Sequence, residues 1–149
     1  MSRIASVFLV HNKKLLLHLR DGGHPDPNLK NKWGLVGGSI EKGEDPLSAV
    51  MREIKEESNL VPSKVNLLGK LEINKSDGKV EAFLFYSQLS DEEVKSLKLG
   101  NEGKAVQFFP ADQILKLPLS PEVKKYYSLN QAAIDSLINN GEIPTFSVL

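Results

Sequence analysis

The chain has no cysteine, no excess of charge of either sign, no long apolar run and a single tryptophan. Each shortage excludes something. Without cysteine there are no disulfides, no thiolate metal sites and no cysteine nucleophile, a composition that fits a reducing compartment. Lysine plus arginine and aspartate plus glutamate number 19 each. A neutral total argues against a nucleic-acid polymer or an anionic membrane as the partner, but leaves room for a small charged ligand at one site. The apolar stretch IASVFLV, Ile4 to Val10, is too short to span a bilayer, and no small-residue cleavage site follows it. The expectation is a soluble, cytoplasmic protein. Its 149 residues suit one compact domain, 1–149, and no internal repeat is visible.

What is present reads as strands mixed with a few helices. Arg3 to His11 and Leu15 to Arg20 are strand-like around an NKK turn. Asp21 to Lys32 is a polar loop rich in Gly, Pro and Asn, and WGLVGGSI follows it. Val65 to Asn74 and Lys79 to Gln88 flank KSDG, whose Asp77-Gly78 pair signals a hairpin. A short helix is expected over Asp91 to Leu97, a strand over Ala105 to Phe109 and a helical turn over Ala111 to Leu115. One last helix is expected within 122–139, ended by Asn139, Asn140 and Gly141. The pattern suggests an α/β sandwich on a mixed sheet.

The most informative segment is REIKEESNL, Arg52 to Leu60, at the end of a helix expected over Pro46 to Ser58. Asp45 is a natural N-cap and Pro46 suits the first helical position. Leu47, Val50, Met51 and Ile54 fall on one stripe, expected to face the core. Glu53, Glu56 and Glu57 share a neighbouring arc, with only Ala49 between them and the preceding turn. Like charges at this spacing repel by roughly a few tenths of a kcal/mol per pair. Glu57 also lies where the helix dipole disfavours an anion. The arrangement works against local stability, and a cation would relieve it. An acidic face alone is usually just solvated, and Lys55 softens the repulsion. Upstream, however, Gly37 and Gly38 can expose backbone to a ligand, and Glu44 leads into the same helix. Carboxylates without nearby His or Cys favour Mg²⁺ or Mn²⁺, which share positions with water and substrate phosphates.

Gly38, five spacers, Glu44, seven spacers and then REIKEESNL resemble the box motif of the Nudix hydrolases. Gly38, Glu44, Arg52, Glu53, Ile54, Glu56, Glu57 and Leu60 match it; NKWGLVGG before the box and NEGKAVQFF after it resemble MutT-like members. Asn59 departs from the motif's glycine, and Val36 stands where proline is frequent. Asparagine is the next-best residue to glycine in the left-handed conformation that ends a helix.

The resemblance implies a Nudix fold, an α/β/α sandwich with a mixed β-sheet. It implies Mg²⁺-dependent hydrolysis (Mn²⁺ a possible substitute) of a pyrophosphate bond in a nucleoside diphosphate linked to a group X. A MutT-like action on nucleoside triphosphates is favoured over nucleotide sugars, ADP-ribose or dinucleoside polyphosphates. Glu56 and Glu57 are implied as metal ligands, Glu53 as ligand or base, and the Gly37 or Gly38 carbonyl as completing the site. Arg52 and Glu44 would pair, tying loop to helix. Glu102, in a Gly-flanked loop before a late strand, is a further candidate base or ligand. Arg20, Trp33, Gly37 and Gly38 are assigned to substrate, although a lone tryptophan is often core. The histidines at 11, 18 and 24 are assigned no role. The polar loop Asp21 to Lys32 is the expected seat of specificity. Two other classes compete: a non-catalytic nucleotide-binding module of the same fold, and a calcium-binding structural domain, for which no EF-hand-like loop is present.

Overall fold

A computed structural model describes residues 2–22, 26, 27, 29–75 and 78–143. Six strands form one mixed sheet: β1 Ser2–His11, β2 Lys14–Leu19, β3 Trp33–Ser39, β4 Asn66–Lys75, β5 Gly78–Gln88 and β6 Ala105–Pro110. Their order is β4-β5-β1-β3-β2-β6. β1 and β5 run parallel, and every other neighbouring pair is antiparallel. The NKK turn closes tightly because Asn12 and Lys13 both adopt positive φ, the backbone of a two-residue hairpin. In the KSDG hairpin Ser76 and Asp77 lie outside the described residues, although Lys75 and Gly78 pair in register.

Helices cover both faces. α1 Pro46–Ser58 packs on one, over a core that includes Val7, Leu9, Leu16, Val36, Ile54 and Phe85. The other face carries α3 Ala111–Ile114, α4 Pro121–Leu129 and α5 Gln131–Asn140, over Phe8, Leu15, Leu17, Tyr126, Ile134 and Leu137. α2 Asp91–Val94 is shorter than the expected Asp91 to Leu97, because its following amides bond back three residues rather than four. The layers are those of an α/β/α sandwich.

Two expectations need correction. The single helix expected within 122–139 is two helices, α4 and α5, broken at Asn130. That residue is buried, and its side-chain amide donates to the Tyr126 carbonyl, so the side chain competes with helix continuation. The expected core stripe of α1 is also rotated. Val50 and Ile54 are buried, but Leu47 is 47% exposed and Met51 only half-buried. The buried positions are Ala49, Val50, Ile54, Glu57 and Ser58. Of the acidic arc, Glu57 and part of Glu53 therefore face the sheet, while Glu56 stays exposed.

Gly37 and Gly38 permit this. Gly37 has φ +150°, and a Cβ there would lie 2.2 Å from the Ala5 carbonyl oxygen. A Cβ on Gly38 would lie 2.6 Å from Glu53 Oε1. The missing side chain at Gly38 makes room for the Glu53 carboxylate, while Gly37 avoids the backbone of β1 and offers its amide to Glu57.

Candidate active site

α1 begins and ends as its sequence dictates. The Asp45 carboxylate accepts from the Ser48 amide at 2.8 Å, and Pro46 occupies the first turn. Asn59 closes the helix with φ 63°, and its amide donates to the Lys55 carbonyl at 3.0 Å. The Asn59 side chain also accepts from Lys55 Nζ at 2.8 Å and donates to the Ser96 carbonyl at 2.9 Å. Those bonds are lost with glycine, so Asn59→Gly should be nearly neutral: the released Cβ penalty offsets them. Asn59→Val should lower stability by roughly 1–2 kcal/mol, since a β-branched residue resists positive φ. Chemical denaturation of the two variants beside the parent measures this; a valine variant as stable as the parent would contradict it.

Glu57 is the most enclosed of the three box glutamates, with its side chain 3% exposed. Oε1 accepts the Gly37 amide at 2.7 Å and Oε2 accepts Arg20 Nη1 at 2.8 Å. Burial nevertheless pushes its carboxyl up to about 7, against the lowering pull of Arg20 and the Gly37 amide. Glu53 is half-buried. Burial raises its pKa, and the charge of Glu57 adds to the rise, while Arg52 offsets part of it. Both carboxyls are raised chiefly by burial, and the charge of Glu102 adds to the rise at Glu57.

Arg52 organises the outer side. Nε and Nη2 donate to Glu44 at 2.9 and 3.0 Å, and Nη1 donates to Glu53 at 2.9 Å. A further bond joins Nη2 to the Ser39 carbonyl at 3.0 Å, tying helix, loop and β3 together. The bidentate Arg52 bond holds the Glu44 carboxyl below its usual range. Glu56 makes a longer contact with Arg52, 3.3 Å, and its side chain is 58% exposed.

A cavity of about 760 Å³ adjoins these groups. Arg20, Gly37, Gly38, Glu53, Glu57 and Glu102 all line it, together with apolar side chains such as Phe8, Leu17, Leu84 and Tyr126. Glu44, Arg52 and Glu56 stand outside the lining. So does Trp33, whose ring packs edge-on against Phe109 with centroids 4.8 Å apart. The polar loop expected to set specificity reaches the cavity through Leu29; Gly23, His24, Pro25 and Asn28 lie outside the described residues.

Arg20, expected to meet substrate, is engaged with Glu57. Sequence reasoning also passed over His18, which strand-face solvation was expected to explain. His18 is 1% exposed, with Nδ1 3.2 Å from both Glu57 Oε2 and Arg20 Nη1. The available signal was its place in KLLLHL. A polar residue within an apolar run long enough to be buried on both faces needs partners.

The donor set suits a hard divalent cation: carboxylate oxygens, two of them on carboxyls whose pKa values burial raises. Among the described residues, no three His, Asp or Glu side chains are gathered tightly enough to hold an ion as they stand. Glu57 and Glu53 are instead held by arginines and amides, which supply the neutralising contacts.

An ADP-ribose pyrophosphatase from Methanocaldococcus jannaschii is 36% identical over 101 residues, covering 65% of this chain and 58% of that protein. An 8-oxo-dGTP diphosphatase from Escherichia coli is 45% identical over 47 residues, covering 32% of this chain and 36% of that protein. The chain thus matches less than two thirds of the length of either relative. The crystal structure of the NUDIX domain of Shewanella oneidensis NrtR, complexed with ADP-ribose, superposes with a TM-score of 0.71 at 19% identity. That superposition covers 89% of this chain and 87% of the other. The family model described as NUDIX domain matches residues 1–129, so the chain belongs to the Nudix hydrolase family.

Proposed function

We propose that this protein hydrolyses a pyrophosphate bond in a nucleoside diphosphate derivative, with Mg²⁺ as its cation and nucleoside triphosphates as favoured substrates. The observation that carries the reading is the pair Glu53 and Glu57, crowded against β3 on the wall of a cavity of about 760 Å³ that Arg20 and Glu102 also line. Glu56 and Glu57 would hold the cation, with Glu53 as a further ligand or base and a Gly37 or Gly38 carbonyl beside them. When bound, the cation neutralises phosphate oxygens and lowers the pKa of its water.

The chain's own groups supply the rest. Arg52, anchored on Glu44, sets the direction of the Glu53 carboxylate. Burial and the Glu57 charge raise the Glu53 pKa, which makes it a stronger proton acceptor than an exposed carboxylate. The Gly37 amide and Arg20 fix both oxygens of Glu57. The apolar part of the cavity lining gives a nucleotide base a surface from which water is displaced.

ADP-ribose is the second reading, favoured by the 101-residue match to a protein that bears that activity in its name. Incubation with deoxynucleoside triphosphates, their 8-oxo forms, ADP-ribose, nucleotide sugars and dinucleoside polyphosphates, with product chromatography, separates the readings. The favoured reading predicts Mg²⁺-dependent nucleoside monophosphate plus pyrophosphate. AMP plus ribose phosphate from ADP-ribose would select the second. Binding without turnover across the panel would make the domain a non-catalytic nucleotide-binding module.

A further inference from the structure

Glu102 sits in an exposed loop, yet the loop around it is tightly anchored. The Lys98 amide donates to the Ser58 carbonyl at 3.0 Å, and the Gly100 amide to the Glu57 carbonyl at 3.3 Å. Both acceptors are carbonyls of the last turn of α1, which lack partners within the helix. On the far side of Glu102, the Lys104 amide donates to the Leu19 carbonyl at 2.9 Å. The carbonyl of Glu102 itself lies 3.0 Å from His18 Nε2. A carbonyl only accepts, so Nε2 carries the proton. The Arg20 guanidinium only donates, and its Nη1 lies 3.2 Å from Nδ1, so Nδ1 accepts and the ring carries a single proton. Arg20 Nη1, 3.2 Å from Nδ1 and 2.8 Å from Glu57 Oε2, donates to both. A continuous path of hydrogen bonds therefore runs from the Glu102 carbonyl through His18 and Arg20 to the Glu57 carboxylate. Gly103 keeps the path short: its φ is +89°, and a Cβ there would lie 2.4 Å from His18 Nε2.

We propose that His18 is a positioning residue that ties the backbone of the Glu102 loop to the Arg20–Glu57 pair, so that the Glu102 side chain is presented to the box from a fixed base. This rests on the reading of the site as a pyrophosphohydrolase. The histidine does not meet substrate, since it is enclosed beneath the site and absent from the cavity lining. Its neutral ring gives the loop one acceptor-specific contact and gives Arg20 a second anchor besides Glu57. Leucine would fill the space without either bond; glutamine would restore the donor to Glu102.

Three measurements test this. In ¹⁵N spectra of the metal-free protein at neutral pH, His18 is expected as the Nε2–H tautomer; the Nδ1–H tautomer or a charged ring overturns the proposal. In His18→Leu, the Gly100 and Lys104 amides should exchange at least tenfold faster, with the Leu16 amide unchanged, and His18→Gln should recover most of the protection. In turnover, His18→Leu should lower kcat at least tenfold with KM within threefold, and Glu102→Gln should cost under threefold in that background though more in the parent. A folded His18→Leu protein with parental loop exchange, or a glutamine variant no better than leucine, overturns it. If His18→Leu does not fold, Gly103→Ala, which presses a methyl against Nε2, should loosen the same amides; unchanged exchange there counts against the proposal. A parent that turns over no substrate refutes the proposed function alone, and tautomer and exchange then decide this inference by themselves.

Discussion

Glu56→Gln is expected to lower turnover by at least about 10²-fold while leaving the melting temperature within a few degrees of the parent. Glu56 suits this test because so little else depends on it. Its side chain is largely exposed, and it meets Arg52 at 3.3 Å, a contact Arg52 does not need while Glu44 and Glu53 hold it. Exposed ion pairs of this kind contribute little to stability. The amide preserves shape and removes the charge that would bind a cation. Glu57→Gln would be a poorer test, since it also breaks the buried contacts to Arg20 and the Gly37 amide. Kinetics at saturating Mg²⁺, paired with a thermal melt, check the expectation. Near-parental turnover by the folded variant would remove Glu56 from the ligand set.

Arg20→Met is expected to destabilise the metal-free protein by about 2 kcal/mol or more at pH 8, and by clearly less near pH 5.5. Methionine keeps much of the stem's packing but leaves Glu57 buried without its cation. The sign follows from the raised pKa of Glu57. With Arg20 present, the carboxyl titrates at about 7, above its ordinary value. For such a group the favourable term is fully present below the unfolded-state pKa and is lost as pH rises through the folded one. Above pH 7 Glu57 is ionised in the parent and relies on Arg20. Below that it is neutral, and the variant loses only a hydrogen bond. Denaturation of parent and variant across this range checks both magnitude and slope. Equal destabilisation at both pH values would mean that Arg20 acts through packing, not through the Glu57 charge.

Much of the site was legible because the information is local. The N-cap at Asp45 and the left-handed Asn59 depend on residues close in sequence whose backbone requirements are specific, whereas the Arg52–Glu44 bridge was implied by the resemblance to the Nudix box. The hairpin at Asn12-Lys13 and the mixed sheet followed from turn residues and strand patterning. What was hidden depends on the partner surface. Helical periodicity groups Glu53, Glu56 and Glu57 on an arc beside the apolar stripe, but cannot say that Glu53 and Glu57 turn toward Gly37 and Gly38, so Leu47 was expected to face the core. It likewise could not separate Glu57, enclosed by β3 and Arg20, from Glu56, open to solvent. His18 was missed because β2 is buried on both faces, where alternation carries no signal. Asn130 was missed because a buried asparagine that bonds back four residues looks, in sequence, like one more helical position.

The central claim is that the crowded glutamates of Arg52 to Leu60 are held for a divalent cation, and Mn²⁺ titration followed by electron paramagnetic resonance tests it without reference to any substrate. The metal-free parent should bind Mn²⁺ saturably, Mg²⁺ should displace it, and folded Glu56→Gln protein should bind at least tenfold more weakly. Mn²⁺ binding equal in the parent and in Glu56→Gln, or no saturable binding by the parent, would contradict the account.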